Sequence, residues 1–69
     1  MKKNLVSIIT PMYNSEKFIE ATIKSVINQT YRDWEMIIVD DCSTDNSPNI
    51  VKSYIKNDSR IKYIRVENE

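Results

Sequence analysis

Three short apolar runs alternate along this 69-residue chain with two segments whose apolar residues recur every three or four positions. The runs are rich in β-branched residues and are typical of strands: Leu5–Thr10, Trp34–Val39 and Ile61–Val66. The two segments are typical of amphipathic helices, with apolar stripes formed by Phe18, Ile19, Ile23, Val26 and Ile27 and then by Ile50, Val51, Tyr54 and Ile55. The predicted order of elements is therefore β-α-β-α-β.

This order predicts an α/β fold with parallel strands, because each helix crosses over between two strands in a right-handed sense. We expect half of a doubly wound, Rossmann-like sheet with strand order 3-2-1. The first run is almost wholly apolar and is expected to be covered on both faces, with Pro11 ending it because proline lacks a ladder donor. Asn14 or Ser15 is expected to cap the first helix, and Pro48 to lie in the first turn of the second.

Composition limits the class of protein. A chain of this length buries only about 60% of its unfolded surface, so we expect residues 1–69 to be a single partial domain at the front of a larger protein. Cys42 is the one cysteine, which excludes an internal disulfide and favours a cytoplasmic setting. Ten basic and ten acidic residues balance, which argues against nucleic acid as a partner. The amino-terminal apolar run is too short for a secretory or membrane segment.

Two polar segments follow the first two predicted strands, "TPMYN" at 10–14 and "DDCSTD" at 40–45. Ligands of doubly wound sheets bind beyond the carboxyl ends of the strands, so these segments are expected to form one site. Asp40 and Asp41 can accept hydrogen bonds from N–H or hydroxyl groups of a ligand. Adjacent carboxylates on an extended backbone point to opposite faces and rarely share one metal ion. The chain has no glycine, which excludes glycine-rich phosphate loops and removes the phosphate half of a dinucleotide site.

Simpler interpretations of these residues stay open. Ser43, Thr44, Asp45 and Ser47 are all good helix caps. Tyr13 is either a half-buried aromatic at the rim of the core or a flat face on which a base stacks. Pro11 fixes the backbone, so that neighbouring amides and carbonyls can line a pocket. A phospho-receiver-like domain is disfavoured, because it needs an acidic pair after the first strand, where this chain has "PMYN".

The stretch "VSIITPMYNSEKFIEATIKSVINQTYRDWEMIIVDDCSTDNS" resembles the amino-terminal segment of family 2 glycosyltransferases, which are nucleotide-sugar-dependent enzymes of the GT-A fold. The matching features are Pro11, Tyr13–Asn14, Glu16, the helix ending Ser25…Gln29–Thr30, Trp34–Glu35, Asp40–Asp41 and Ser43–Asp45. Each feature alone is weak, but their spaced combination is specific. The resemblance is strong over residues 6–47 and looser beyond them.

The resemblance implies a nucleotide-binding site formed by Pro11, Tyr13, Asn14, Glu16, Asp40 and Asp41. In similar enzymes, the aspartate matching Asp41 accepts a hydrogen bond from the base, typically the imide N–H of uracil, and the tyrosine matching Tyr13 packs against that base. The backbone around Pro11 would contact the nucleoside. Glu16 and Asp40 would orient the loops or touch the ligand. The implied donor is a UDP-sugar, and the implied acceptor is a hydroxyl of a glycan, a lipid or another molecule.

The resemblance also implies parts that this sequence does not supply. A divalent cation, Mg²⁺ or Mn²⁺, would be held on the diphosphate by a D-x-D motif further along, and the catalytic base would lie further along as well. We therefore assign no catalytic or metal-binding residue, and we expect the isolated chain to transfer no sugar and to self-associate through Leu5–Thr10. The parent enzyme would act in the cytoplasm, with the inner face of the membrane within its reach. The alternative is a non-catalytic nucleotide-binding or interaction module that uses the same pocket.

Overall fold

The computed structural model describes residues 4–67 and contains three strands and two helices. In chain order these elements are β1 (Val6–Met12), α1 (Ile19–Asn28), β2 (Trp34–Asp40), α2 (Ser47–Ile55) and β3 (Ile61–Arg65). The strands form one parallel sheet in which β2 lies between β1 and β3. The predicted β-α-β-α-β fold and strand order 3-2-1 are confirmed. Neither helix has the length and apolar character needed to cross a membrane.

The core lies between one face of the sheet and both helices. Alternate residues of β2, namely Trp34, Met36 and Ile38, are buried on this face. They pack with residues that the other elements contribute, which are Met12, Ile19, Ile23, Val51 and Ile61. Both crossovers progress in the same direction across the sheet, so right-handed connections place α1 and α2 on the same side. The Tyr54 hydroxyl of α2 donates to Glu20 Oε2 of α1 at 2.8 Å and links the two helices.

The other face of the sheet is open within residues 4–67. Ile9 and Pro11 of β1 and Ile64 of β3 are exposed there, and Ile37 and Val39 of β2 are half-buried. The expectation that the first strand is covered on both faces is therefore not met, because both helices lie on the opposite side. The amino-terminal end of the open face is polar: the Ser7 hydroxyl donates to Glu35 Oε2 at 2.5 Å, and Lys62 Nζ lies 3.6 Å from Glu35 Oε1.

Pro11 does not end the first strand, contrary to the prediction. β1 continues to Met12, and Pro11 lies opposite Val39 in the register. The Met12 carbonyl accepts from the Asp41 amide at 2.9 Å, and the Val6 amide donates to Asp33 at 2.9 Å, so the even-numbered residues of β1 bond β2. Pro11 is odd-numbered, so its backbone nitrogen points away from β2. The missing N–H of proline therefore leaves the β1–β2 hydrogen bonds intact.

Helix α1 begins later than predicted. Its first residue is Ile19, and the residue at its N-cap position is Phe18 rather than Asn14 or Ser15. The Ser15 carbonyl accepts from the amides of Phe18 and Ile19, both at 2.8 Å, which forms a turn ahead of the helix. Phe18 is consequently exposed and does not join the buried stripe as predicted. The helix ends at Asn28, with Gln29 at its C-cap position.

Helix α2 begins at Ser47 with Pro48 in its first turn, as predicted. Val51 is buried, and the other members of the predicted stripe pack against the core while half-buried; these are Ile50, Tyr54 and Ile55. The Tyr54 carbonyl accepts from the amides of Asn57 and Asp58, both at 3.0 Å, which closes the helix. The second helix therefore contains the whole predicted stripe and ends at Ile55.

Candidate functional site

Two loops meet at the carboxyl ends of β1 and β2. The first loop, residues 13–18, follows Met12, and the second loop, residues 41–46, follows Asp40. The hydrogen bond from the Asp41 amide to the Met12 carbonyl extends the β1–β2 ladder by one step. Asp41 and Tyr13 therefore occupy neighbouring positions at the edge of the sheet. Asp41 is exposed and Tyr13 is 60% exposed, so both side chains are accessible to a ligand.

Asn14 joins the two loops through its side chain and its backbone. Its Oδ1 accepts from the amides of Thr44 at 2.8 Å and Asp45 at 3.3 Å. Its own amide donates to Ser43 Oγ at 2.9 Å. Its φ of 45° lies in the left-handed region, which asparagine tolerates better than most residues. The carboxamide that the resemblance assigned to the nucleotide site thus bonds the neighbouring loop.

A second set of bonds between the loops is reciprocal. The Glu16 amide donates to Asp45 Oδ2 at 3.2 Å, while Glu16 Oε1 accepts from the Asn46 amide at 2.9 Å. The Ser15 amide donates to Ser47 Oγ at 2.8 Å. We call these bonds, together with those of Asn14, the inter-loop network. Because each loop supplies donors and acceptors to the other, the two loops form one structural unit.

The inter-loop network corrects the interpretation of Ser43 and Ser47 as helix caps, whereas Asp45 does bond the start of the second helix. No side-chain hydrogen bond caps α2 at Asn46. The hydroxyls of Ser43 and Ser47 accept from the first loop. Asp45 bonds the start of α2, where its Oδ1 accepts from the Ser47 amide at 2.9 Å. Burial opposes ionisation of Asp45, but hydrogen bonds from Ser47 and from the Glu16 amide outweigh it, so the pKa of Asp45 lies below its usual value.

Asp40 is fully buried on the helix-facing side of the sheet, although its neighbour Asp41 is exposed. Its Oδ1 accepts from the Ser43 amide at 2.9 Å, and its Oδ2 accepts from the Tyr63 hydroxyl at 2.5 Å. Arg65 Nη1 lies 3.5 Å from the same Oδ2. Burial acts to raise the pKa of Asp40, but the hydrogen bonds from Ser43 and Tyr63 and the charge of Arg65 outweigh it and lower the pKa. Asp40 is therefore an anion held by the protein itself.

The predicted site residues differ in exposure and in the bonds described above. Tyr13 and Asp41 are exposed at the carboxyl edge, and Pro11 is exposed on the open face beside them. The side chains of Asn14, Glu16 and Asp40 bond other parts of the protein. An alternating strand separates adjacent carboxylates in this way, as the sequence predicted.

Sequence reasoning missed Tyr63 and Arg65, which bond Asp40 from β3. Their spacing from Ile61 was the available signal, because residues two apart on a strand share a face. Burial and the hydrogen bond to Asp40 raise the pKa of Tyr63, so its hydroxyl stays protonated and donates.

An open polar cleft of about 440 Å³ lies at the opposite end of the sheet from the two loops. It is lined by Ile27, Asn28, Gln29, Thr30, Arg32 and Arg60. Arg60 is already engaged, since its guanidinium lies 3.8 Å from the Trp34 ring centre and 2.8 Å from Asp58. In residues 4–67, the structure brings together no group of three or more His, Cys, Asp or Glu side chains that could hold a metal ion. The exposed, motif-bearing loops at the carboxyl edge are therefore the candidate site.

In an open, parallel α/β sheet of this kind, ligands bind beyond the carboxyl ends of the strands, where the two loops meet. The sequence model of glycosyl transferase family 2 matches residues 7–69. The chain belongs to this family. It is 52% identical over 65 residues to the Bacillus subtilis protein TuaG, which is named as a glycosyltransferase of teichuronic acid biosynthesis. It is also 48% identical over 67 residues to Escherichia coli WfgD, a UDP-Glc:α-D-GlcNAc-diphosphoundecaprenol β-1,3-glucosyltransferase.

Solved structures show the same fold. The crystal structure of S. aureus TarS superposes with a TM-score of 0.81 at 36% identity, over 93% of this chain and 19% of the TarS chain. TarS has also been solved in complex with UDP. The mannosyltransferase PcManGT of Pyrobaculum calidifontis, in complex with GDP-Man and Mn²⁺, superposes with a TM-score of 0.75 at 29% identity, over 91% of this chain and 19% of its own. The GT-A fold is thus confirmed.

The match covers most of this chain but a minor part of its relatives. It spans 94% of this chain and 26% of TuaG, and 97% of this chain and 26% of WfgD. The chain therefore spans about a quarter of the length of these curated relatives.

Proposed function

We propose that this chain is the nucleotide-binding front of a longer glycosyltransferase, which transfers a sugar from a nucleotide-sugar to an acceptor hydroxyl. The observation that carries the proposal is the pairing of exposed Tyr13 and exposed Asp41 in neighbouring positions at the carboxyl edge of the sheet. An aromatic face and a carboxylate are the two groups needed to stack a base and accept from its N–H. The inter-loop network holds them ready before a ligand binds.

The proposed roles follow from accessibility. The Tyr13 ring stacks on the base, and the Asp41 carboxylate accepts a hydrogen bond from the N3–H of uracil. Cytosine has no donor at that position, so this contact selects uridine nucleotides. Asn14, Glu16 and Asp40 act on the nucleotide through the loops that they hold, because their side-chain oxygens accept from the protein. Pro11 limits the backbone freedom of the strand end that carries Tyr13.

The relatives favour UDP as the nucleotide. TarS has been solved with UDP at 35% identity, and UDP-Glc is the donor in the name of WfgD at 48% identity. PcManGT, solved with GDP-Man, is less similar at 29% identity. The names TuaG and WfgD point to cell-wall or polysaccharide synthesis and to a lipid-linked acceptor. We therefore propose a cytoplasmic UDP-sugar enzyme that meets its acceptor at the inner face of the membrane.

The cation and the catalytic base are proposed to lie outside this chain. PcManGT was solved with Mn²⁺, but residues 4–67 of this chain bring together no donor set that fits a metal ion. A divalent cation would neutralise the departing diphosphate, and a base would deprotonate the acceptor hydroxyl. The contribution of this segment to catalysis is therefore to bind and orient the nucleotide.

Calorimetric titration of the whole protein with UDP tests the proposal. We expect Asp41→Asn to weaken binding by about 1–3 kcal/mol, the cost of a lost charge-assisted hydrogen bond. Asp45→Asn is the matched control, since it makes the same chemical change in the same loop. It should weaken UDP binding less than Asp41→Asn, because Asp45 bonds the start of α2 and the Glu16 amide rather than the ligand. A larger loss of UDP affinity in Asp45→Asn than in Asp41→Asn would show that the roles are assigned wrongly.

A further inference from the structure

The Tyr63 hydroxyl lies beneath the second loop and is not part of the proposed ligand contacts. It donates to Asp40 Oδ2 at 2.5 Å, and Asp40 is fully buried. A buried carboxylate that loses a donor must be compensated or must move, because its desolvation is otherwise unbalanced. The second donor to this oxygen, Arg65 Nη1, is at the longer distance of 3.5 Å. Tyr63 is therefore the closer of the two partners that β3 supplies to Asp40.

The other oxygen of Asp40 holds the second loop. Asp40 Oδ1 accepts from the Ser43 amide at 2.9 Å, and Ser43 Oγ accepts from the Asn14 amide at 2.9 Å. A continuous path of hydrogen bonds thus runs from Tyr63 through Asp40 and Ser43 to the first loop. Asp41 lies inside the short segment that Asp40 and Ser43 anchor at its two ends.

The backbone within that segment needs such anchoring. Cys42 has a φ of 60°, in the left-handed region that is unfavourable for residues other than glycine, asparagine and aspartate. Val66, the residue that follows β3, supports it: the Val66 amide donates to the Asp40 carbonyl at 2.8 Å, and Cys42 Sγ donates to the Val66 carbonyl at 3.1 Å. The conformation that presents Asp41 therefore depends on contacts from β3 as well as on the loop itself.

We propose that Tyr63 is a positioning residue of the nucleotide site, which fixes the Asp41 carboxylate by holding Asp40 against the Ser43 amide. This inference rests on the proposed function for its ligand, but the loop geometry that it describes stands without the ligand. Removing the hydroxyl lowers the fraction of molecules whose second loop is competent to bind, and the apparent affinity falls by that fraction.

The experiment compares Tyr63→Phe with Tyr54→Phe in the whole protein, using UDP and CDP as probes. Both variants remove one tyrosine hydroxyl that donates to a carboxylate, but the Tyr54 hydroxyl bonds Glu20 between the helices and not Asp40. We expect Tyr63→Phe to weaken UDP binding about tenfold, as for a loop that is competent about a tenth of the time. It should lower the UDP-to-CDP affinity ratio, whereas Tyr54→Phe should leave the ratio unchanged.

A double-mutant cycle separates positioning from general destabilisation. In an Asp41→Asn background, Tyr63→Phe should change UDP affinity by less than about twofold, because the carboxylate that it positions is already gone. Additive losses, or equal weakening of UDP and CDP, would overturn the inference.

Amide hydrogen exchange at Ser43 gives a readout without a ligand. We expect Tyr63→Phe to accelerate it and Tyr54→Phe not to. Accelerated exchange in a protein that does not prefer UDP to CDP would support the positioning of the loop and overturn the proposed function. Unchanged exchange and an unchanged UDP-to-CDP ratio in Tyr63→Phe, with UDP preference intact, would overturn the inference and leave the proposed function standing.

Discussion

At the scale of single residues, two adjacent aspartates lie in different environments because a strand turns them to opposite faces. Asp40 is buried and accepts from Ser43 and Tyr63, and Asp41 is exposed beside Tyr13. A carboxylate that is already fully hydrogen-bonded by the protein has little capacity left for a ligand. The burial of Asp40 and these bonds support the proposal that Asp41, rather than Asp40, recognises the base.

Tyr13 offers a test at the same scale. Its exposed ring should contribute to nucleotide affinity by stacking, so Tyr13→Ala should weaken UDP binding by about 1–3 kcal/mol. Tyr13→Phe keeps the ring and should cost much less. Calorimetric titration of both variants with UDP gives the comparison. Equal losses would show that the hydroxyl, rather than the ring, contacts the ligand.

At the scale of elements, most of the fold could be predicted because its signals are local. The β-branched runs and helical stripes gave all five elements in their correct order. The prediction failed where the same local sequence is compatible with two structures. A proline interrupts the hydrogen bonds of a central strand, but it interrupts none when its nitrogen points to an unpaired edge. Only the register of Pro11 shows which case applies.

The site was predicted less completely than the fold, because its hydrogen bonds join residues about 30 positions apart. Asn14 and Ser15 have the composition of helix caps, and so do Ser43 and Asp45. In the structure they bond one another across two loops. No local pattern distinguishes a cap from an inter-loop bond, whereas the carboxyl edge, where the loops meet, follows directly from parallel topology.

The inter-loop network should weaken in acid. The pKa values of Asp40 and Asp45 lie below the usual carboxyl value of 3.8, so their contribution to stability is present above that value and is lost as pH falls through the lowered folded-state values. We expect the thermal unfolding midpoint of the whole protein to fall between about pH 4 and pH 2. Asp45→Asn should reduce the size of this fall.

Asp58 provides the control for the acid experiment. The hydrogen bond from Arg60 lowers its pKa too, but it lies at the opposite end of the sheet. Asp58→Asn should therefore also reduce the acid-dependent fall in stability, yet leave the exchange of the Asn46 and Ser47 amides unaltered. An acid response that persists unchanged in both variants would contradict this account.

At the scale of the whole molecule, the described structure has an unpaired strand edge at β1, which borders the open apolar face. In residues 4–67, β1 pairs with β2 alone, and Ser7 and Ile9 direct their backbone groups away from it. Ile9 is also 59% exposed on the open face. An edge of this kind, without a charged residue within it, favours pairing with a second chain.

We therefore expect the isolated 69-residue chain to self-associate through β1. Sedimentation velocity across a concentration series up to about 100 μM, where exposed edges commonly aggregate, gives the measurement. Ile9→Lys should shift the distribution toward monomer, because an edge charge opposes pairing. A monodisperse monomer that folds cooperatively at the highest concentration would refute this expectation.

The left-handed backbone at Cys42 limits which substitutions this position can accept during evolution. Its thiol donates a hydrogen bond to the Val66 carbonyl, but its φ of 60° is the stronger restriction on which residues can replace it. Glycine, asparagine and aspartate suit that geometry best, and valine or isoleucine suits it least. The backbone conformation at position 42, rather than the chemistry of the thiol, thus determines which residues can replace Cys42. A chain that uses no glycine anywhere keeps, at position 42, a place where the fold would accept one.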